Sequence, residues 1–202
     1  MNIVFCHGKE GKPTGIKYQW IQEVVQQYLD QGFELKLHEP IDYRDLEDPD
    51  ARVNRLLASD QISKDTILIG SSMGGYVCAV SASIKNISGL LLLAPALYMN
   101  QIAIGALSIK HKPGGINFPS VDANKLKSLE SYTVSTYKPN CPSSTIRIIH
   151  GNQDTIVPIE GSLKYSTLYD TVLKVVPDNH GLQNSKDIFQ LDLKAIINAN
   201  IE

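Results

Sequence analysis

Apolar runs of strand length alternate with stretches of helical period along this chain of 202 residues. Six runs read as strands: residues 3–6, 33–37, 66–69, 90–93, 146–149 and 172–176. The third and fourth are apolar on both faces, as expected of central strands in a parallel sheet. Between the first two runs, Ile16, Trp20, Val24, Val25, Tyr28 and Leu29 recur at helical spacing and stop at Gly32, a glycine-capped helix. Asp48 followed by Pro49 forms an N-cap and first-turn pair, and Val53, Leu56 and Leu57 give the helix it opens one apolar face. Val77, Cys78, Ala79, Val80, Ala82 and Ile84 form a helix of small residues after the third run, and Ile188, Phe189, Leu193, Ile196 and Ile197 mark a last helix running from Ser185.

Strands alternating with helices predict an α/β fold: a doubly wound, mostly parallel six-stranded sheet with helices on both faces and a ligand site at the carboxyl ends of the strands. The length fits a single domain, 1–202. One irregular stretch, about 98–144, contains Pro113, Gly114, Gly115, Pro119, Pro139 and Pro142. It is too short for a second domain and reads as a lid-like insertion, with a short helix over 124–130.

Composition narrows the function classes. Hydrophobic residues make up 43% and charged residues 20%, ordinary for a globular protein. A net charge of -2 without any lysine or arginine run argues against nucleic acid or an anionic membrane surface as partner. Cys6, Cys78 and Cys141 are far apart, odd in number and lack CxxC spacing, which argues against a disulfide framework or a zinc site. The opening MNIVFCHG has neither a basic flank nor a long apolar stretch, so it reads as neither signal peptide nor membrane anchor, and a cytoplasmic protein is expected.

The candidate chemistry begins at ILIGSSMGGY, residues 67–76. Gly70-Ser71-Ser72-Met73-Gly74 fits G-x-S-x-G with Ser72 at the centre, between a strand and a helix, as a nucleophile elbow requires. By chance the five-residue pattern arises in roughly 7% of chains this long, so the strand and helix around it carry much of the signal. On so sharp a turn, side chains two residues either side of the serine would collide, and Gly70 and Gly74 relieve the crowding. The amide of Met73 at the helix start then points where a developing oxyanion would sit.

A serine nucleophile needs a base and a residue to orient it, in the chain order serine, acid, histidine for this arrangement. Asp154 in IIHGNQDTIVP and His180 in VVPDNHGL each follow a strand end. Asp178 is the rival acid, poorly placed two residues from His180, and Asp122 is a weaker rival from the insertion. His38 and His111 fit neither the order nor the position, and His7 and His150 precede glycines at strand ends, where an imidazole stabilises a turn. In the loop after the first strand, His7-Gly8-Lys9, Gly8 lets the backbone turn so that the amide of Lys9 faces the elbow as a second oxyanion donor. No role is assigned to the Lys9 side chain.

HG after a first strand, GSSMGGY, GLLLLAPA, IIHGNQDTIVP and the final NHG together resemble the α/β-hydrolase superfamily over nearly the whole chain. More narrowly, the length and the elbow resemble its small, lid-poor esterases and thioesterases. Two departures stand out: the chain opens at what the superfamily counts as its third strand, and only the 98–144 connection occupies the place of a large cap. The resemblance implies a serine hydrolase of carboxylic esters or thioesters. Ser72 is its nucleophile, His180 the base and Asp154 the orienting acid, with the amides of Lys9 and Met73 as the oxyanion hole. Neither metal nor organic cofactor is required, and the partner is a small acyl ester or thioester. Two alternatives stay open: a non-catalytic binding protein on the same fold, and lyase or acyl-transferase chemistry on the same triad. In the insertion, Leu97, Tyr98, Met99, Ile102, Ile104, Leu107 and Ile109 either line an apolar acyl pocket or pack on the core, with Lys110 and Lys112 nearby.

Overall fold

Strand β1 (Asn2–Cys6) and helix α1 (Ile16–Asp30) open the chain in a computed structural model that describes residues 1–9, 11–98 and 137–201. There follow β2 (Lys36–Leu37), α2 (Pro49–Leu57), β3 (Thr66–Ser71), α3 (Met73–Ile84), β4 (Gly89–Leu93), β5 (Ile146–Gly151), α4 (Glu160–Tyr169), β6 (Val172–Val176) and α5 (Lys186–Ile201). The six strands form one parallel sheet in the order β2-β1-β3-β4-β5-β6.

That order follows from two rounds of right-handed crossover running in opposite directions. From β1 the chain steps outward to β2, and from β3 it steps the other way through β4, β5 and β6. The adjacent pair β1 and β3 is therefore the switch point, where the loops leaving the strands part toward opposite faces and open a crevice. The two faces are packed accordingly. On one, Trp20, Ile21, Val24 and Val25 of α1 and Phe189, Leu193, Ile196 and Ile197 of α5 meet Ile3, Phe5, Ile67 and Ile69. On the other, Val53 and Leu56 of α2, Val77 and Ala79 of α3 and Tyr165 of α4 meet Val4, Leu68, Leu90 and Leu92.

Local signals hold where their partners are local. Gly32 adopts φ 86 just past the end of α1, with Gly32 N–H donating to the Leu29 carbonyl and Phe33 N–H to the Tyr28 carbonyl, a Schellman cap. Asp48 accepts from the amide of Asp50 at the start of α2. Three details depart from expectation. The second strand is only Lys36–Leu37, because the Phe33 amide is spent on the cap of α1 and the Glu34 carbonyl accepts from the amino terminus. Ile16 and Leu29 fall on the exposed side of α1. Helix α4 was not foreseen, since its buried positions are Gly161, Ser162 and Tyr165 while Leu163 and Leu168 face solvent.

Most of the expected insertion lies outside the described residues: the helix over 124–130, His111, Asp122, Lys110, Lys112 and the apolar positions from Met99 to Ile109. Of its edges, Leu97 is buried in the core, which answers the pocket-or-core question for that residue in favour of the core. No helix among the described residues is long and apolar enough to cross a membrane.

Candidate active site

Ser72 stands at the junction of β3 and α3 with φ 55 and ψ -120, a conformation that costs a non-glycine residue about 1–3 kcal/mol. The strain is held from several sides. Ser72 N–H donates to the Leu93 carbonyl at 2.9 Å, and the Ser72 carbonyl accepts from Gly75 and from Ala96 at 2.9 and 3.0 Å. A Cβ at Gly70 would overlap the Gly74 carbonyl, and one at Gly74 would overlap the Cys6 carbonyl, so the elbow fits against β1 only with glycine at both positions. Met73 is the first residue of α3, where a helix leaves its amide without an intrahelical acceptor.

The loop after β1 passes directly beside this turn: a Cβ at Gly8 would lie 3.2 Å from Ser72 Cβ and 3.8 Å from Ser72 Oγ. His7 fixes that loop. Its Nε2 accepts from the Tyr43 amide at 3.1 Å, which leaves Nδ1 to donate to the Gly8 carbonyl at 2.7 Å. Burial lowers the His7 pKa, in keeping with a neutral ring acting as a brace. Lys9 follows Gly8 with its side chain exposed.

His180 and Asp154, from loops leaving different strands, come together: His180 Nδ1 lies 2.7 Å from Asp154 Oδ2. The Asp154 side chain is 1% exposed and that of His180 is 19% exposed, a buried carboxylate behind a ring that still reaches solvent. Asp154 Oδ1 accepts from the amides of Ile156 and Val157 at 2.8 and 2.9 Å. Burial alone would raise the Asp154 pKa, but hydrogen bonds from His150, His180 and these two amides outweigh it and hold the carboxyl well below the usual carboxylate range. Asp178 is occupied elsewhere, accepting from Ser185 Oγ at 2.8 Å and from the amides of Asn179 and Asn184 at 2.8 and 2.9 Å.

Two neighbours were given no part in the site from the sequence. His150, read as a turn-stabilising imidazole, does bridge its turn, with Nε2 3.0 Å from the Val157 carbonyl and Nδ1 2.8 Å from Ser162 Oγ. The same Nε2 is 3.3 Å from Asp154 Oδ2, so this fully buried ring also sets the position of the carboxylate. Lys17, in the first turn of α1, donates to Ser71 Oγ at 2.7 Å, one residue from Ser72. Its signal was visible: Lys17 lies one turn before Ile21 on the otherwise buried stripe of α1, where a charge is out of place. His38 is bonded to Asn2 at the start of β1, away from this edge. Among the described residues there is no group of three or more histidine, cysteine or carboxylate side chains suited to a metal ion.

The comparison with family models matches residues 2–197, nearly the whole chain. The chain belongs to the uncharacterised protein family UPF0227. Solved structures of similar fold include proteins named as α/β hydrolases and as esterases. A protein from Xanthomonas campestris placed in the alpha/beta hydrolase superfamily is 20% identical, with a TM-score of 0.66 and 98% of each chain covered. Est1E from Butyrivibrio proteoclasticus is 19% identical, with a TM-score of 0.69 over 99% of this chain and 88% of that one. Alpha/beta hydrolase domain-containing protein 10 from mouse is 18% identical, with a TM-score of 0.74 over 98% and 90%. The comparison with curated proteins gives no match. This UPF0227 chain therefore has the α/β-hydrolase fold, and its strained serine, its paired histidine and carboxylate and its glycine loop gather at the carboxyl edge of that sheet.

Proposed function

We propose that this protein is a serine hydrolase that cleaves a carboxylic ester or thioester through an acyl-enzyme. The observation that carries the reading is the 2.7 Å contact of His180 Nδ1 with Asp154 Oδ2, on the same sheet edge as a serine held at φ 55. With Nδ1–H donating to the carboxylate, Nε2 of His180 is left as the free basic nitrogen. It takes the proton of Ser72 as Oγ bonds to the acyl carbon, and the amides of Met73 and Lys9 receive the oxyanion. The tetrahedral adduct then collapses: the bond to the leaving group breaks, and His180 returns the proton to it. Water, deprotonated by the same ring, attacks the acyl-enzyme and releases free acid and Ser72. Asp154 keeps the ring in this tautomer and stabilises the imidazolium.

The esterase reading is supported by neighbours of the fold that are themselves esterases, among them the Pyrococcus furiosus esterase Pf2001, with a TM-score of 0.60 at 16% identity. A fluorophosphonate probe tests it: the expected result is a single covalent adduct that peptide mapping assigns to Ser72 and that is lost in His180→Ala. Labelling of Ser71, or labelling unchanged without His180, overturns the assignment.

A further inference from the structure

Lys17 is a cation held beside the elbow with little to neutralise it. Its Nζ donates to Ser71 Oγ at 2.7 Å, a neutral hydroxyl that is itself buried. Three N–H bonds point from an ammonium, and among the described residues no carboxylate stands within ion-pair distance of this one. The two carboxylates whose charge reaches it, Asp178 and Asp154, are already spent. Asp154 serves His180, His150 and two amides, while Asp178 serves Ser185, Asn179 and Asn184. Burial lowers the Lys17 pKa to about 8, with Asp178 and Asp154 opposing the shift, so the group is largely cationic at neutral pH despite its desolvation.

A partly buried charge without an ion partner is costly, and a methionine or leucine on this stripe of α1 would pack without that cost. Lys17, Ser72 and His180 all remain partly open to solvent at the carboxyl edge of the sheet. The charge thus lies one residue from Ser72, at the edge of the sheet where a reacting ester would lie.

We propose that Lys17 and Ser71 form a carboxylate-binding subsite next to the nucleophile, so that the preferred substrates are esters or thioesters carrying a free carboxylate close to the scissile carbonyl. The bound carboxylate takes the unspent N–H bonds of Lys17, a charge-assisted contact that a neutral ester cannot make. Ser71 keeps the ammonium in place by accepting its other hydrogen bond. The proposal rests on the hydrolase reading of Ser72.

The test compares kcat/KM for carboxylated esters with that for uncarboxylated parents: 4-nitrophenyl hydrogen glutarate against 4-nitrophenyl valerate for a carboxylate on the acyl side, and 4-carboxyphenyl valerate against phenyl valerate for one on the alcohol side. In the unsubstituted protein at least one ratio should favour the carboxylated ester. Lys17→Met should lower that ratio by about tenfold or more, chiefly through KM, and Lys17→Arg should retain much of it. Which ratio falls identifies the side that carries the charge. Ratios that Lys17→Met leaves unchanged overturn the subsite, as does a general loss that strikes carboxylated and parent esters equally. A readout without turnover separates the two proposals: glutarate, against sodium chloride at equal ionic strength, should raise the melting temperature of Ser72→Ala protein and not of Ser72→Ala/Lys17→Met. If no ester is turned over but glutarate stabilises in this Lys17-dependent way, the hydrolase reading falls and the subsite stands. Equal melting shifts in the two proteins remove the subsite.

Discussion

Asp154 concentrates more of this site's chemistry than any other side chain, since one carboxylate meets two imidazoles and two backbone amides. Its depressed pKa links the site to stability. A carboxylate with a folded-state pKa below its unfolded value contributes stability that is present above the unfolded value, about 4, and is lost as pH falls through the folded one. Asp154→Asn should therefore be less stable than the parent in urea at pH 6, with the gap narrowing steadily below about pH 4. A gap of constant size down to pH 2 would mean that the charge of Asp154 is not what these groups hold. Ser72, Asp154 and His180 were legible in the sequence because each sits in a short motif just past a strand end. Lys17 was not singled out, although a lysine on the buried stripe of α1 is a departure that periodicity alone exposes. The second role of His150 was out of reach, because its contact with Asp154 depends on how the turn from Gly151 to Val157 folds back over the ring.

At the scale of the element, the elbow is a strand, a strained residue and a helix held together by close backbone contact. Gly74→Ala is the sharpest test of that contact, because the added methyl would strike the Cys6 carbonyl of β1, and backbone cannot swing aside as a flexible side chain can. The expected cost is about 3 kcal/mol or more, read as a lowered denaturation midpoint together with loss of fluorophosphonate labelling. Full stability and labelling in this variant would contradict the fit of α3 against β1. Elements whose signals were local came through the sequence well, as the Schellman cap of α1 and the Asp48 cap of α2 illustrate. The short β2 and helix α4 did not. Apolar content at 33–37 gives no sign that Phe33 is claimed by the preceding cap, and α4 packs through Gly161 and Ser162, which carry no hydrophobic signal.

For the whole molecule, the parallel strands send the loops after β1, β3, β5 and β6 to one edge, and the two apolar faces keep that edge in register. One polar contact ties the far side together: the fully buried Asp192 of α5 lies 2.7 Å from Lys174 Nζ of β6 and 3.2 Å from Arg147 of β5. Asp192 is buried while Lys174 and Arg147 keep part of their side chains in solvent, so removing it takes away their shared partner without stranding a fully buried charge. Asp192→Ala should therefore lower global stability by about 1.5–3 kcal/mol while, in the protein that remains folded, Ser72 is still labelled. A stability within 1 kcal/mol of the parent would assign the anchoring of α5 to its apolar face alone.

The central claim, that Ser72 and not its neighbour carries a hydrolytic reaction, is tested most directly by turnover of 4-nitrophenyl butyrate in Ser72→Ala and Ser71→Ala side by side. Ser72→Ala should lower kcat/KM by about a thousandfold or more, and Ser71→Ala by no more than about tenfold. Equal losses in the two variants, or a Ser72→Ala protein that keeps its activity, would contradict the account.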